Sequence, residues 1–285
     1  MQLGAEAKVR LRKMTATDLS AAHALSREAK WPHRLEDWEL MLKCGQGLVA
    51  EADGQVLGTV MGFPHGPQIA TLGMVIVSQQ ARGSGIGRKL MDAMIEELSP
   101  RAIQLNATPD GLALYKSQGF RSVATIHQHQ GAAFHAPMPK LRKGERVRPL
   151  GSKDGPRIAE LDRKATGFER GPLFAKLLKN AQGVVLDRGG EAVGFALFRR
   201  FGLGYAIGPV VAPDREGART LIGHWIGANP GMFIRLDVPG DGGLVDWLQE
   251  LGLEGVDRVV TMVRGDQPPI GNGAAAFAIV SQALG

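Results

Sequence analysis

The sequence predicts a mixed α/β protein in which one strand-and-helix unit is built twice. Three observations carry this reading. Residues 69–98 run as an apolar strand, a glycine-rich arginine loop and an amphipathic helix. Short apolar runs bounded by turn residues alternate with helical patterns through the first 130 residues. The pattern of the first half then recurs in the second at one constant offset. Arg10-Leu-Arg-Lys-Met is echoed by Arg146-Val-Arg-Pro-Leu, Gly47-Leu-Val by Gly183-Val-Val, and Gly58 by Gly194, each pair 136 positions apart.

Taken in order, Val9-Arg-Leu-Arg-Lys-Met14 reads as a first strand. Thr15-Ala-Thr-Asp18 offers N-cap chemistry to a helix carrying Ala21, Ala22, Leu25 and Ala29, which Trp31-Pro32 stops. A second helix begins near Leu35-Glu36-Asp37 and carries Trp38, Leu40, Met41 and Leu42. Residues 47–52 and 56–63 form a hairpin about Asp53-Gly54. Pro64-His-Gly-Pro67 leads into the apolar strand 69–77. After the glycine loop, Leu90, Met91, Met94, Ile95 and Leu98 have helical spacing. Pro100-Arg101 breaks that helix, and Ala102-Ile-Gln-Leu-Asn106 returns as a strand. A short helix follows and ends at a C-cap glycine, Gly119. Val123–Gln130 is the last strand of the first unit. The expected division is 1–130, a linker over 131–144 of small, proline and basic residues, and 145–285.

Composition narrows the function. With 285 residues and 44% hydrophobic content, the chain can bury two medium cores. No apolar run reaches the about 18 residues a membrane span needs, and the first eight residues lack an apolar leader core. A cytoplasmic protein is expected. The one cysteine, Cys44, excludes an intrachain disulfide framework and a cysteine zinc cluster, and its apolar neighbours suit a buried thiol. His127 and His129 share a strand face without a third ligand, so no metal site is expected. The net charge of +6 is spread along the chain without aromatic interleaving, which argues against nucleic acid.

The loop Arg82-Gly-Ser-Gly-Ile-Gly-Arg88 is an anion-site pattern. Glycines admit a ligand close to the backbone, and amides converge where the following helix begins. Its spacing is not that of the nucleotide P-loop, because Arg88-Lys89-Leu90 follows the last glycine with no hydroxyl for magnesium. Nor is it the dinucleotide fingerprint, whose third glycine falls at Arg88. The pattern Arg82-x-x-Gly85-x-Gly87, followed by Ala113-Leu-Tyr115-x-x-x-Gly119-Phe120, resembles the two signatures of the GNAT superfamily of N-acetyltransferases, in the right order. The element order of residues 1–130 is also similar to that fold.

The resemblance implies two tandem GNAT-like acyl-CoA N-acyltransferase domains using acetyl-CoA. It implies pantetheine contacts along Met74, Val75 and Val77, diphosphate contacts from Arg82, Gly83, Ser84, Gly85, Gly87 and Arg88, and Tyr115 as the acid that protonates the leaving thiolate. A phenol of ordinary pKa about 10 stays protonated at neutral pH. Asn106 is expected to bond the pantetheine amide. Asp110 stands where the family often has an asparagine, which puts that contact in doubt. The base stays open between Glu51 and His65. His33 and Asp37 fall where the family recognises its acceptor, and Trp31 and Trp38 could wall that pocket. The second half is degenerate: Pro213-Asp-Arg-Glu-Gly-Ala-Arg219 has one glycine and two carboxylates, and Leu248 stands where the first half has Tyr115. It is expected to shape the substrate site or an interface, which leaves room for a homodimer. The expected activity is direct transfer of acetyl to a primary amine of a small molecule in a ternary complex. The alternatives are an acyl-CoA-responsive regulatory module and a protein lysine or N-terminal acetyltransferase.

Overall fold

The computed structural model describes residues 9–136, 138 and 140–285. Met1–Lys8, read above as lacking a leader core, and Pro137 and Pro139 of the expected linker lie outside the described residues. The first half runs β1 (Arg10–Lys13), α1 (Leu19–Glu28), α2 (Leu35–Cys44), β2 (Gln46–Ala52), β3 (Gln55–His65), β4 (Ile69–Val77), α3 (Ile86–Leu98), β5 (Ala102–Ala107), α4 (Leu112–Ser117) and β6 (Arg121–Ala132). The second half repeats this order as β7 (Glu145–Pro149), α5 (Gly155–Thr166), α6 (Gly171–Leu177), β8 (Ala181–Arg188), β9 (Glu191–Phe201), β10 (Gly204–Ala212), α7 (Arg215–Ala228), β11 (Phe233–Pro239), α8 (Val245–Glu250) and β12 (Glu254–Arg264), then adds a short β13 (Ala275–Ala278). Among the described residues, no helix is long and apolar enough to cross a membrane.

The repeat is physical as well as textual. Arg12 on β1 bridges Asp18 at 2.7 Å and Glu51 on β2. Arg148 on β7 makes the same clamp to Asp154 at 2.7 Å and Asp187 at 2.9 Å. The amide of Met14 donates to the Gly47 carbonyl, and that of Leu150 to the Gly183 carbonyl, both at 2.8 Å.

All thirteen strands belong to one sheet, whose order is β1-β2-β3-β4-β5-β12-β6-β11-β10-β9-β8-β7, with β13 added on β10. The two halves exchange their last long strands. β12 lies antiparallel on β5, pairing Val260 with Ala107 and Arg264 with Ile103. β6 lies between β12 and β11. On one face, α3 seals the β2–β5 region through Leu90, Met91, Met94 and Leu98, and α7 seals the second half through Leu221, Ile222, Trp225 and Ile226. On the other face α1, α2, α5 and α6 share a single core, in which Trp38 and Phe63 of the first half join Phe174 and Phe195 of the second. Shared core and exchanged strands both bind the halves together.

Two strand pairs open like a fork. β4 runs parallel to β5 only from Ile69/Ala102 to Leu72/Leu105, leaving Gly73–Val77 free on that side. The opening coincides with a bulge against β3, where the pairing jumps from Met61/Gly73 to Thr59/Ile76. Met74 takes a left-handed backbone, φ 54°, held by a 2.8 Å hydrogen bond from the Thr59 hydroxyl to its carbonyl. Such a conformation persists in a non-glycine residue only when its surroundings impose it. β10 and β11 pair in parallel only at Tyr205/Ile234 and Ala206/Arg235. There β13 fills the opening, lying antiparallel on β10 from Ala212/Ala275 to Val210/Ala278, and the next amide, Ile279, donates to Asp237 of β11 at 3.0 Å.

Candidate active site

The open fork of the first half leads to the glycine loop. Gly83 and Gly85 have φ of 78° and 80°, where a side chain is strained. No protein atom lies within 4 Å of where a Cβ would stand on either. Gly85 is the N-cap of α3 and supplies no side-chain cap. The amides of residues 83–88 meet no protein acceptor among the described residues, and the first closed helical bond runs from Lys89 to the Gly85 carbonyl at 3.1 Å. Six successive unpaired amides at the start of a thirteen-residue helix can hold an anion such as a diphosphate. Arg82 is exposed beside them. Arg88 is drawn to α4 by a 2.7 Å bond to Ser117, and the Ser84 hydroxyl closes on the Ala81 carbonyl at 2.6 Å. Val75 and Val77 lie half-buried on the free stretch of β4, and Met74 is buried.

Tyr115 is buried on α4, its ring edge-on to Phe120 and its hydroxyl against Gly111. Burial pushes its phenol up to about 12. Asn106 stands on β5 at the fork, but both its polar atoms have protein partners. Its amide donates to the Gln282 carbonyl at 2.8 Å, and its carbonyl oxygen accepts from Thr261 at 2.8 Å. It therefore ties β5 to β12 and to the chain segment after β13.

At the fork lies a cavity of about 400 Å³ built from both halves. Gly73, Met74 and Asn106 form its inner end. Lys30, Trp31, Pro32 and His33, between α1 and α2, form one wall, and Phe201 and Leu203 of the β9–β10 hairpin another. The floor is Gln128 and Gln130 of β6, Arg235 of β11 and Asp257 of β12, and Ser281–Ala283 close one side. Ala283 passes so near Gly73 that a Cβ there would lie 2.7 Å from its own.

Of the expected acceptor-side residues, Trp31 and His33 line this cavity, and His33 packs edge-on to Phe201, 5.4 Å between centroids. Burial, then the nearby Arg235, pushes the His33 imidazole down to about 4, and its Nδ1 is buried without a partner. The other four are placed elsewhere, Trp38 being fully buried in the core that the two halves share. Asp37 accepts from the Arg34 side chain at 2.8 Å, from the Arg34 amide at 2.9 Å and from the Gly202 amide at 3.0 Å. It caps α2 and pins that helix to the β9–β10 hairpin. Burial would raise its carboxyl, but these donors hold it below its ordinary value. Glu51 is held in the Arg12 clamp, the counterpart of Asp187 in the other half. His65 is buried at the opposite end of β4, bonded to Thr71 at 3.0 Å and stacked on Phe168. The floor residues escaped sequence reasoning because the exchange of β6 and β12 sets which strands lie side by side there. The signal was the alternation 127–130, where the cavity-facing residues are the glutamines between the histidines.

A family model described as an acetyltransferase (GNAT) domain matches residues 43–122, and a second model with the same description matches residues 158–275. This chain is a tandem GNAT acetyltransferase. It is 27% identical over 280 residues to the uncharacterized N-acetyltransferase YitH of Bacillus subtilis, covering 96% of this chain and 97% of that one. It is 24% identical to the holothin acyltransferase of a Pseudoalteromonas species, covering 84% and 82%. A crystal structure from Pyrococcus horikoshii, named as a candidate acetyltransferase, superposes with a TM-score of 0.81 at 19% identity, covering 97% of this chain and 96% of that one.

The two GNAT domains differ at the places where the first is open. In the second, Asp214 caps α7 with its own carboxylate, accepting from the Gly217 amide at 2.9 Å and pairing with Arg142 at 2.8 Å. An amide left free in the first domain is thus satisfied internally in the second, and a negative charge sits where an anion would bind. Its fork is filled by β13. At the bulge, Pro209 replaces Met74 and removes an amide donor.

Proposed function

We propose that the first GNAT domain transfers an acetyl group from acetyl-CoA to the primary amine of a small molecule, by direct attack with both substrates bound. The observation that carries this reading is the continuity of three features: the unpaired amides of residues 83–88, the open edge of β4 and the cavity at its end. The residues present fit acetyl-CoA, which supplies an acyl carbon already activated as a thioester. Gly83, Ser84, Gly85, Gly87 and Arg88 offer backbone amides to the diphosphate, and Arg82 adds charge. The free backbone of Val75 and Val77 is available for the pantetheine amides. The amine nitrogen forms the new bond to the acyl carbon as the carbon–sulfur bond breaks. Tyr115, protonated throughout the neutral range, gives its proton to the departing sulfur, and the proton lost by the amine leaves through water. His33, kept neutral by burial, lines the wall beside the amine.

A cavity of about 400 Å³ suits a small molecule. The relative named holothin acyltransferase has a small-molecule acceptor in its name, which supports the same class. The second domain supplies part of the pocket and no chemistry, so one coenzyme A per chain is expected. The test is thiol release from acetyl-CoA across amino acids, polyamines, aminoglycosides and peptides. Coenzyme A binding without turnover of any amine would reject the reading, and turnover of protein lysines alone would reject its small-molecule part.

A further inference from the structure

The cavity floor carries a charge arrangement that acetyl transfer itself does not need. On β6, Gln128 lies between Asp257 of β12 and Asp237 of β11, and Gln130 lies opposite Arg235. Arg235 is 8% exposed. Its Nε and Nη2 bond to Asp237 at 3.0 and 2.9 Å, while Nη1 has no protein acceptor among the described residues. Its guanidinium lies 5.3 Å from the centroid of Phe201, and that of Arg199 lies 4.8 Å from the same ring. Arg199 is 5% exposed. Its Nη2 donates to the Val280 carbonyl at 2.8 Å, and its Nε is buried without a partner. No carboxylate among the described residues lies within salt-bridge distance of it. The other buried carboxylate in this region, Asp37, is taken by Arg34 and Gly202.

Two buried guanidiniums thus stand around one aromatic wall of the cavity, with one paired carboxylate between them. A buried cation without a counter-charge is costly, and here the surplus lies behind a wall of the acceptor pocket. Lys30 adds a third cation at the mouth, with no ion pair among the described residues. His33 registers the same field: burial first, then Arg235, keep it neutral. On the other side of Gln128, Asp257 has one oxygen on the Arg258 amide at 2.7 Å and the other free. At the usual strand spacing, Asp257 and Asp237 stand on strands roughly 10 Å apart. The floor is therefore positive at one end and negative at the other.

We propose that the acceptor carries a carboxylate as well as its amine, and that Arg235 is the specificity-determining residue that binds the carboxylate. Nη1 donates to it, Arg199 and Lys30 add long-range attraction, and Asp257 faces the amine end. The inference rests on the reading of the cavity as the acceptor pocket. It deepens that reading by naming an amino-acid-type acceptor.

The test compares matched acceptors, amino acids against their carboxamides, in thiol release from acetyl-CoA. A charge-assisted hydrogen bond predicts kcat/KM higher for the acids by about tenfold or more. Arg235→Lys, which keeps the partner of Asp237, and Arg235→Gln combined with Asp237→Asn, which removes the pair together, are both expected to bring the ratio toward one. The KM for acetyl-CoA should stay unchanged, which also shows that the variants fold. A second arm does not depend on turnover. Calorimetry on coenzyme A-loaded protein should show N-acetylated amino acids binding more tightly than their carboxamides, in wild type and not in the variants. Equal kcat/KM or equal affinity for acid and amide, or a preference surviving both variants, overturns the proposal. Absence of turnover together with the calorimetric preference would reject the proposed reaction and still support the carboxylate site.

Discussion

Tyr115 and Glu51 show what a residue's position in a sequence does and does not disclose. The motif around Tyr115 placed it on a short helix ending at Gly119, and α4 (Leu112–Ser117) is that helix. Its environment adds what the motif could not: burial raises the phenol to about 12, so it is protonated well beyond neutral pH. Since its hydroxyl makes no protein hydrogen bond among the described residues, Tyr115→Phe should leave thermal stability nearly unchanged. Turnover in the thiol-release assay should fall by about 100-fold, the low end for loss of a general acid. Glu51 was legible only as a polar residue on a strand, and His65 as one in the loop before β4, although it ends β3. Their partners, Arg12 across a strand pair and Thr71 across a hairpin, depend on register, which composition does not encode. His65 carries its own prediction. Burial, reinforced by Arg170, pushes it down to about 3, so the unfolded chain takes up a proton that the folded one refuses. Its unfavourable contribution begins as pH falls below about 6.5 and is complete near 3, up to on the order of 5 kcal/mol. Denaturant unfolding at pH 7 and pH 4.5 should show wild type losing more stability on acidification than His65→Gln.

At the scale of elements, the glycine loop and α3 were readable because the loop's left-handed turns need backbone freedom, and glycine advertises it. Gly85→Ala places a methyl where no protein atom is met but where φ is 80°. Roughly 1–2 kcal/mol of left-handed strain results, which the loop relieves by rotating its amides. The KM for acetyl-CoA should rise about tenfold, the loss of roughly one hydrogen bond to a charged group, with kcat less affected. Gly144→Ala, at φ 81° and equally open, is the control: the same strain and no change in KM. The bulge at Met74 and the strand β13 were not readable. Ala275-Ala-Phe-Ala278 is too short and too uniform to announce a strand, and it is one only because the fork beside β10 offers unpaired backbone to it.

For the whole molecule, the repeat was visible as an offset but the exchange of strands was not. An apolar pattern says that a strand is covered, not by which neighbour. β6 and β12 would read alike whether each closed its own half or the other's. The exchange implies that the halves are not separable. A fragment ending at Ala136 leaves β5 with an open edge and β6 with no partner from its own half, as well as half of the shared core exposed. Size-exclusion chromatography and circular dichroism should find that fragment aggregated, or dimeric with two copies exchanging strands. A folded, dispersed monomer would contradict the topology. The cavity at the fork has the same dependence, since its floor is made of strands from both halves.

The exchange also sets a timetable for biosynthesis. The ribosome completes β6 at Ala132 but does not begin the strand that joins it to β5 until Glu254. At about 5–20 residues per second, the nascent chain spends roughly ten seconds with β5 ungated and β6 unsheltered. The pocket wall at Ser281–Ala283 arrives later still. The half that carries the glycine loop is translated first and finished last, so chaperone dependence should concentrate in that interval. Slowing translation between the codons for Ala132 and Glu254 should then lower the yield of soluble enzyme.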